Sequence, residues 1–183
     1  MRTADIVRAM LATAAATALL TGCTSSTEGS ATGTAAPKTT GPIEIFNPCA
    51  ELSDEVLTGV GLNPATKSVV TDPPEGESSW RVCGWRTPDN LIRVTVLSTS
   101  HTLDEARKNE NMVQKSETTV GSREALRSYD KSETDGRSCY TSMEADQGMF
   151  EISAAWFEED GWTRDICVIS AEFAAALDPH LPR

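Results

Sequence analysis

The chain predicts an α+β fold: a mainly antiparallel, twisted sheet with about three helices packed on it and two disulfides. Three observations carry that prediction. Two pairs of β-type runs, 79–86 with 91–99 and 138–143 with 148–157, are joined by short turn-rich connections, as hairpins are. Helix starts, each followed by apolar residues at helical spacing, occur near Asn47, Thr102 and Ile166. Strands and helices do not alternate strictly, which argues against a parallel βαβ array. No internal repeat shows a fixed period.

The N-terminus is of another kind. Arg2 and Arg8, offset by Asp5, precede the apolar run 10–20. That run is shorter than the roughly 20 apolar residues a membrane-crossing helix needs. The small residues Thr21 and Gly22 then lead directly into Cys23. Leu20-Thr21-Gly22-Cys23 resembles the bacterial lipobox, in which the cysteine thiol receives a diacylglycerol and the chain is cut before it. Residues 1–22 are thus expected to be a lipoprotein signal peptide, and Cys23 the lipidation site. An ordinary secretory signal with an incidental Cys23 is the plainer alternative. Acyl burial contributes about 0.8 kcal/mol per CH₂, so two or three chains anchor durably. The expected location is the cell membrane, lipid-anchored, on the extracytoplasmic side.

Residues 23–41 are almost entirely Thr, Ser, Ala and Gly, with Pro37 and Lys38. Such a stretch cannot offset the entropy of ordering and reads as a tether. As a random coil it spans on the order of 20–25 Å. Residues 42–183 are expected to form a single domain, enough for one core and not for two.

In that domain Asn47-Pro48 opens the first helix, with Asn as N-cap and Pro at the first position. Leu52, Val56, Leu57 and Val60 share one helical face, and Gly59 and Gly61 end it. A short strand follows at 68–71, then a turn at 72–76, then the first hairpin. Thr102 opens the second helix with Glu105 as its capping-box partner, and Leu103, Ala106 and Val113 supply a modest apolar face. Residues 117–130 read as one or two strands broken at Gly121-Ser122, with Ala125 and Leu126 packing inward. The second hairpin alternates at Phe150, Ile152, Ala154 and Trp156. Glu158 to Gly161 form an acidic turn before Trp162 resumes the sheet. Ile166, Ile169, Phe173 and Leu177 mark a last helix, apolar on a broad face, that should lie across the sheet.

With Cys23 acylated, Cys49, Cys83, Cys139 and Cys167 remain, an even number suited to two disulfides in an exported domain. Four cysteines permit three connectivities. Each helix start could be stapled to one strand, giving Cys49–Cys83 and Cys139–Cys167. A zinc site is the weaker reading, since no Cys-x-x-Cys pair or nearby histidine is present. No metal and no cofactor is expected.

Phe46-Asn47-Pro48-Cys49, Gly61-Leu62-Asn63-Pro64, Cys83-Gly84-Trp85 and a closing helix begun by Cys167 together resemble a known family. They look like the actinobacterial lipoproteins of domain-of-unknown-function family 3558, over roughly residues 42–181. The resemblance implies a secreted or membrane-tethered protein with no established activity. It also implies a build similar to the extracellular sensor domains of some mycobacterial kinases, α+β with sequential disulfides. It supplies no catalytic residues.

Charge excludes some partners. Removing residues 1–22 takes away two arginines and one aspartate, so the formal net charge of -11 becomes -12. Such a surface repels phosphate backbones and anionic headgroups, so no nucleic acid is expected as a partner. Catalytic motifs are sparse. His101 and His180 are the two histidines, both expected at the surface. No Gly-x-Ser-x-Gly elbow occurs. Ser128-Tyr129-Asp130-Lys131 spells the Ser-x-x-Lys of penicillin-recognising enzymes, but without a later Lys-Thr-Gly it is a chance match. Glu158, Glu159 and Asp160 lack the spaced oxygens of a calcium loop.

The expected function is a binding or interaction module of the cell envelope, not an enzyme. Its partners would be the membrane, through the lipid, and an envelope ligand or protein. The alternative is a small envelope hydrolase with a carboxylate site. A buried carboxylate of shifted pKa in a concave pocket would favour the hydrolase, and an apolar groove would favour binding. Strand parity singles out one candidate contact. Trp85 shares a face with Cys83, and so should lie beneath the first helix. Trp80 should point to the opposite, open face and is the candidate ligand-binding residue.

Overall fold

Alternating side chains in long β-branched and aromatic runs, each closed by a short turn, set most of the architecture. The computed structural model describes residues 44–73, 78–133, 135–157 and 164–183. Seven strands form one antiparallel sheet: β1 (Asn63–Thr71), β2 (Trp80–Arg86), β3 (Ile92–Thr99), β4 (Met112–Val120), β5 (Arg123–Asp130), β6 (Ser138–Ala145) and β7 (Gly148–Trp156). Their order across the sheet is β1-β2-β3-β7-β6-β5-β4, so two meanders meet along the β3–β7 seam.

The α+β expectation with about three helices is overturned. The described residues hold four α-helices, α1 (Pro48–Glu51), α2 (Asp54–Gly59), α3 (Leu103–Lys108) and α4 (Ile166–Leu177), of which α4 alone, at 12 residues, exceeds six. The molecule is mainly an antiparallel sheet, and helix is its minor part. The reason lies in the caps. Asn47 does cap α1, its Oδ1 accepting from the Cys49 N–H at 3.0 Å. But Leu52 is extended, and Ser53 starts a new helix by accepting from the Val56 N–H at 3.3 Å. One apolar stripe is therefore two short helices. In the same way α3 stops at Lys108, and Val113, expected on its face, begins β4 instead. Helices this short are marginal alone and hold by docking on the sheet.

Two further expectations shift in detail. The strand expected at 68–71 starts earlier, at Asn63, and carries register irregularities against β2. Ala125 and Leu126 are both buried, but as strand neighbours they enter separate clusters on opposite faces. The turn expected at 72–76 is described only as far as Pro73. The expected signal and tether, the expected acidic turn at 158–161 and Trp162 lie outside the described residues.

One face is a continuous apolar core. Cys83, Trp85, Val94, Val96, Phe150 and Ile152 meet α1, α2 and part of α4 there. Cys139, Ala154 and Trp156 meet the start of α4. Disulfides Cys49–Cys83 and Cys139–Cys167 tie α1 to β2 and α4 to β6, with Cα separations of 5.3 and 5.0 Å. A buried polar tie adds to the second, where Ser170 of α4 donates to the Ile152 carbonyl at 2.8 Å and contacts Thr141 Oγ1 at 2.8 Å. The C-terminus is pinned by buried Arg123, which pairs with Asp178 at 2.6 Å and donates to the Leu181 and Pro182 carbonyls.

The other face is only partly covered, and topology says by what. β3 lies in the middle of the sheet and β4 at its far edge, so their connection must cross β7, β6 and β5. That connection contains α3, which lies against β5 and β6.

Candidate functional site

The pocket of interest forms where α3 crosses this second face. It encloses about 260 Å³. Thr102 fixes the helix: its hydroxyl accepts from the Glu105 N–H at 3.3 Å, and Glu105 accepts from the Thr102 N–H at 2.7 Å. The turn before β7 holds the same corner from below. Gly148 has φ +142°, and a Cβ there would lie 2.6–2.7 Å from backbone atoms of Thr99, Ser100 and His101. Only glycine lets these two corners approach so closely. The closeness sets His101 and α3 above the sheet.

The walls are apolar at one end. Leu103, Ala106, Leu126 and Met149 pack together with half-buried Trp80 against them. The indole of Trp80 and the imidazole of His101 lie 5.6 Å apart, tilted by 38°. The polar end is Glu151 in β7, 8% exposed. It stands opposite Ser142 in the β6–β7 register and accepts from that hydroxyl at 2.7 Å. No cation pairs with Glu151 among the described residues. Burial pushes its carboxyl above the usual glutamate range, and the Ser142 hydrogen bond only partly opposes that. Nearby Tyr140 is also pushed up, first by burial and then by the charge of Glu151.

Glu105 lines the same pocket and is held the other way. The Thr102 backbone N–H lowers it most, with a contribution from His101, whose Nδ1 is 3.4 Å from its carboxylate. One pocket therefore contains a carboxyl pushed up by burial and another held down by its cap. No lysine or arginine among the described residues lines it.

Trp80 lines this pocket, whereas Trp85 is 1% exposed and lies in the opposite core. Cys49, Cys83, Cys139 and Cys167 are all consumed in disulfides remote from it. Cys23 lies outside the described residues. His180 is exposed in the short 3₁₀ turn Asp178–His180, away from the pocket. His101 is solvated, as expected for a surface residue, yet it forms part of the rim. Ser128, set aside as a chance motif, is buried on the pocket floor. Sequence reasoning missed Glu151, Ser142 and Glu105. The signal for Glu151 was present: alternation of Phe150, Ile152 and Ala154 puts it on the other face of a strand. Only the strand order shows that strand to be central. Among the described residues no helix is long and apolar enough to cross a membrane, and no group of three or more His, Cys, Asp or Glu could hold a metal ion.

Comparison with known families matches residues 18–180 to one described as a protein of unknown function, DUF3558. The chain belongs to that family. No curated protein and no solved structure matches it. The DUF3558 match includes the stretch Leu19 to Cys23 as well as both disulfides.

Proposed function

We propose that this DUF3558 protein is a lipid-anchored envelope protein of the actinobacterial lipoprotein type, whose domain binds a small ligand between α3 and the sheet. The observation that carries the binding reading is the convergence of Trp80 and buried Glu151 in one pocket. Small-ligand sites combine apolar and aromatic walls with few, well-placed polar groups. Glu151, fixed by Ser142, offers one buried polar group, and Trp80 offers a flat apolar surface. With two glutamates and no basic side chain except His101, the pocket suits a neutral or cationic ligand and disfavours an anion. The test is extraction of the purified protein with organic solvent and mass spectrometry of what is released. A small molecule recovered from wild type and lost from Trp80→Ala supports the reading. Equal recovery from both would move the ligand elsewhere.

Anchoring rests on the N-terminal pattern and on the family match extending across Cys23. Cys23→Ser should release the protein from membranes or leave an uncut precursor. A processed variant that still partitions wholly into detergent phase would refute the anchor. In this reading the partners are the membrane, through the lipid, and an envelope ligand or protein, with no nucleic acid.

One observation favours a second reading, a hydrolase. Glu151 and Glu105 share a pocket and are pushed in opposite directions, as acid and base pairs are. Against it, Glu105 is tied into the helix cap, its Oε2 accepting from the Thr102 N–H and hydroxyl and lying 3.4 Å from His101 Nδ1. A capping carboxylate is poorly placed to take a substrate proton, so binding remains the preferred function. Hydrolysis of a chromogenic ester or glycoside that disappears in Glu151→Gln would reverse that preference.

A further inference from the structure

A second feature of the sheet lies outside the α3 pocket and concerns the Cys83-Gly84-Trp85 stretch of β2. Gly84 is buried in a strand interior, where glycine often marks close approach of another group. A Cβ on Gly84 would lie 3.2 Å from Thr95 Oγ1 and 3.4 Å from Arg93 Nε. The missing side chain is therefore the space that Arg93 occupies. Arg93 extends across β2 and donates from Nη2 to Ser68 Oγ of β1 at 3.0 Å.

Arg86 stands directly opposite Arg93 in the β2–β3 register. Like charges facing each other across a strand pair repel, and such a pair would normally be relieved by a carboxylate. None is present. The described ion pairs engage Arg81, Arg107, Arg123, Arg137 and Arg164 and leave Arg86 and Arg93 without an acid. This holds in a chain with 27 acidic residues and 16 basic ones, where acids are plentiful. Arg86 is fixed instead by its face, with Cζ 3.6 Å from the Phe157 ring centroid. No described hydrogen bond uses its guanidinium donors, and Arg93 uses one of its own. A depression of about 240 Å³ opens between them, with Thr66 and Ser68 on its β1 side. Ser68 accepts from Arg93, so its own hydroxyl proton is left to donate.

We propose that Arg86, Arg93 and Ser68 form an oxyanion subsite that takes a phosphate group. Two guanidiniums, one held on a ring and one seated over a glycine, present fixed N–H donors of the kind that bind phosphate in bidentate fashion. A bound phosphate relieves the repulsion that no described residue relieves. The site is independent of the α3 pocket. Trp80 and Arg86 lie at opposite ends of β2, roughly 20 Å apart at strand rise. The two can therefore fail separately.

The shared chemistry is phosphate, free or in a lipid headgroup, and the arms of the test separate the two. Inorganic phosphate is titrated into the purified protein by calorimetry, with ionic strength held constant by sodium chloride. In parallel, co-sedimentation compares phosphatidylglycerol with phosphatidylcholine vesicles. Saturable phosphate binding, weakened at least tenfold in both Arg93→Gln and Arg86→Gln and unchanged in Arg164→Gln, supports an open phosphate site. Sedimentation with phosphatidylglycerol alone, lost in the same two variants, supports a headgroup site. Binding of neither probe overturns the proposal. So does chloride reproducing the phosphate effect, or retention of binding by both variants.

Discussion

Along β7, Phe150, Ile152 and Ala154 enter the apolar core, while Met149, Glu151 and Ser153 point the other way, toward α3 and the open face. The two faces share every backbone hydrogen bond of the sheet and differ only in what covers them. One receives three helices, two disulfides and a close-packed apolar layer. Among the described residues the other receives a single six-residue helix, and it buries Glu151, Ser128, Ser138, Ser142 and Ser153. The first face is the close-packed core, and the proposed ligand pocket opens on the second. A buried carboxyl without a cation costs free energy, and such groups cluster at functional sites.

The comparison can be broken most directly at the two tryptophans of β2. Trp85→Ala should cost about 3–5 kcal/mol, the usual loss for a large buried aromatic. Trp80→Ala, half-buried on the second face, should cost less than half as much. Paired thermal melts decide this, and equal losses would mean that the second face is core as well.

Next in size is the staple on the first face. Removing Cys139–Cys167 by double substitution to Ser frees a sequence separation of 28 and should cost about 3 kcal/mol in the chain-entropy model. The pocket should survive, because α3 does not hang from that bridge. Denaturant melts with ligand extraction measure both. Loss of ligand at temperatures where the sheet is still folded would couple the faces in a way the present reading denies.

The smallest expected effect is a pH dependence on the second face. In the folded protein burial holds Glu151 above its ordinary range. As pH rises, the unfolded chain therefore loses this proton first. The stability attached to the protonated folded form is complete below the ordinary range and is lost as pH climbs toward the raised value. Glu151→Gln cannot ionise. Its stability relative to wild type should grow as pH rises above about 4. A difference that stays flat would place Glu151 in an ordinary, solvated environment.

Local patterns were sufficient for much of the chain. The caps at Asn47 and Thr102, both hairpins, the break at Gly121-Ser122 and the closing helix follow from residues within a few positions of each other, where the governing physics is local. Strand parity likewise separates Trp80 from Trp85. Ser53, Lys108 and Val113 show the limit. Helical spacing could not reveal that a second cap would split one helix, or that β4 would recruit the end of another. Cap and ladder compete for the same few backbone groups, and tertiary pairing decides the winner. The same holds for function. Glu151, Ser142 and Glu105 are scattered over 47 positions of sequence, and so are Ser68, Gly84, Arg86 and Arg93 over three strands. The residues alone determined which side chains point together from each strand. Only strand order, with β7 central and β4 at the edge, placed α3 above Glu151 and Arg93 across Gly84, because non-local pairing leaves no periodic trace in the chain.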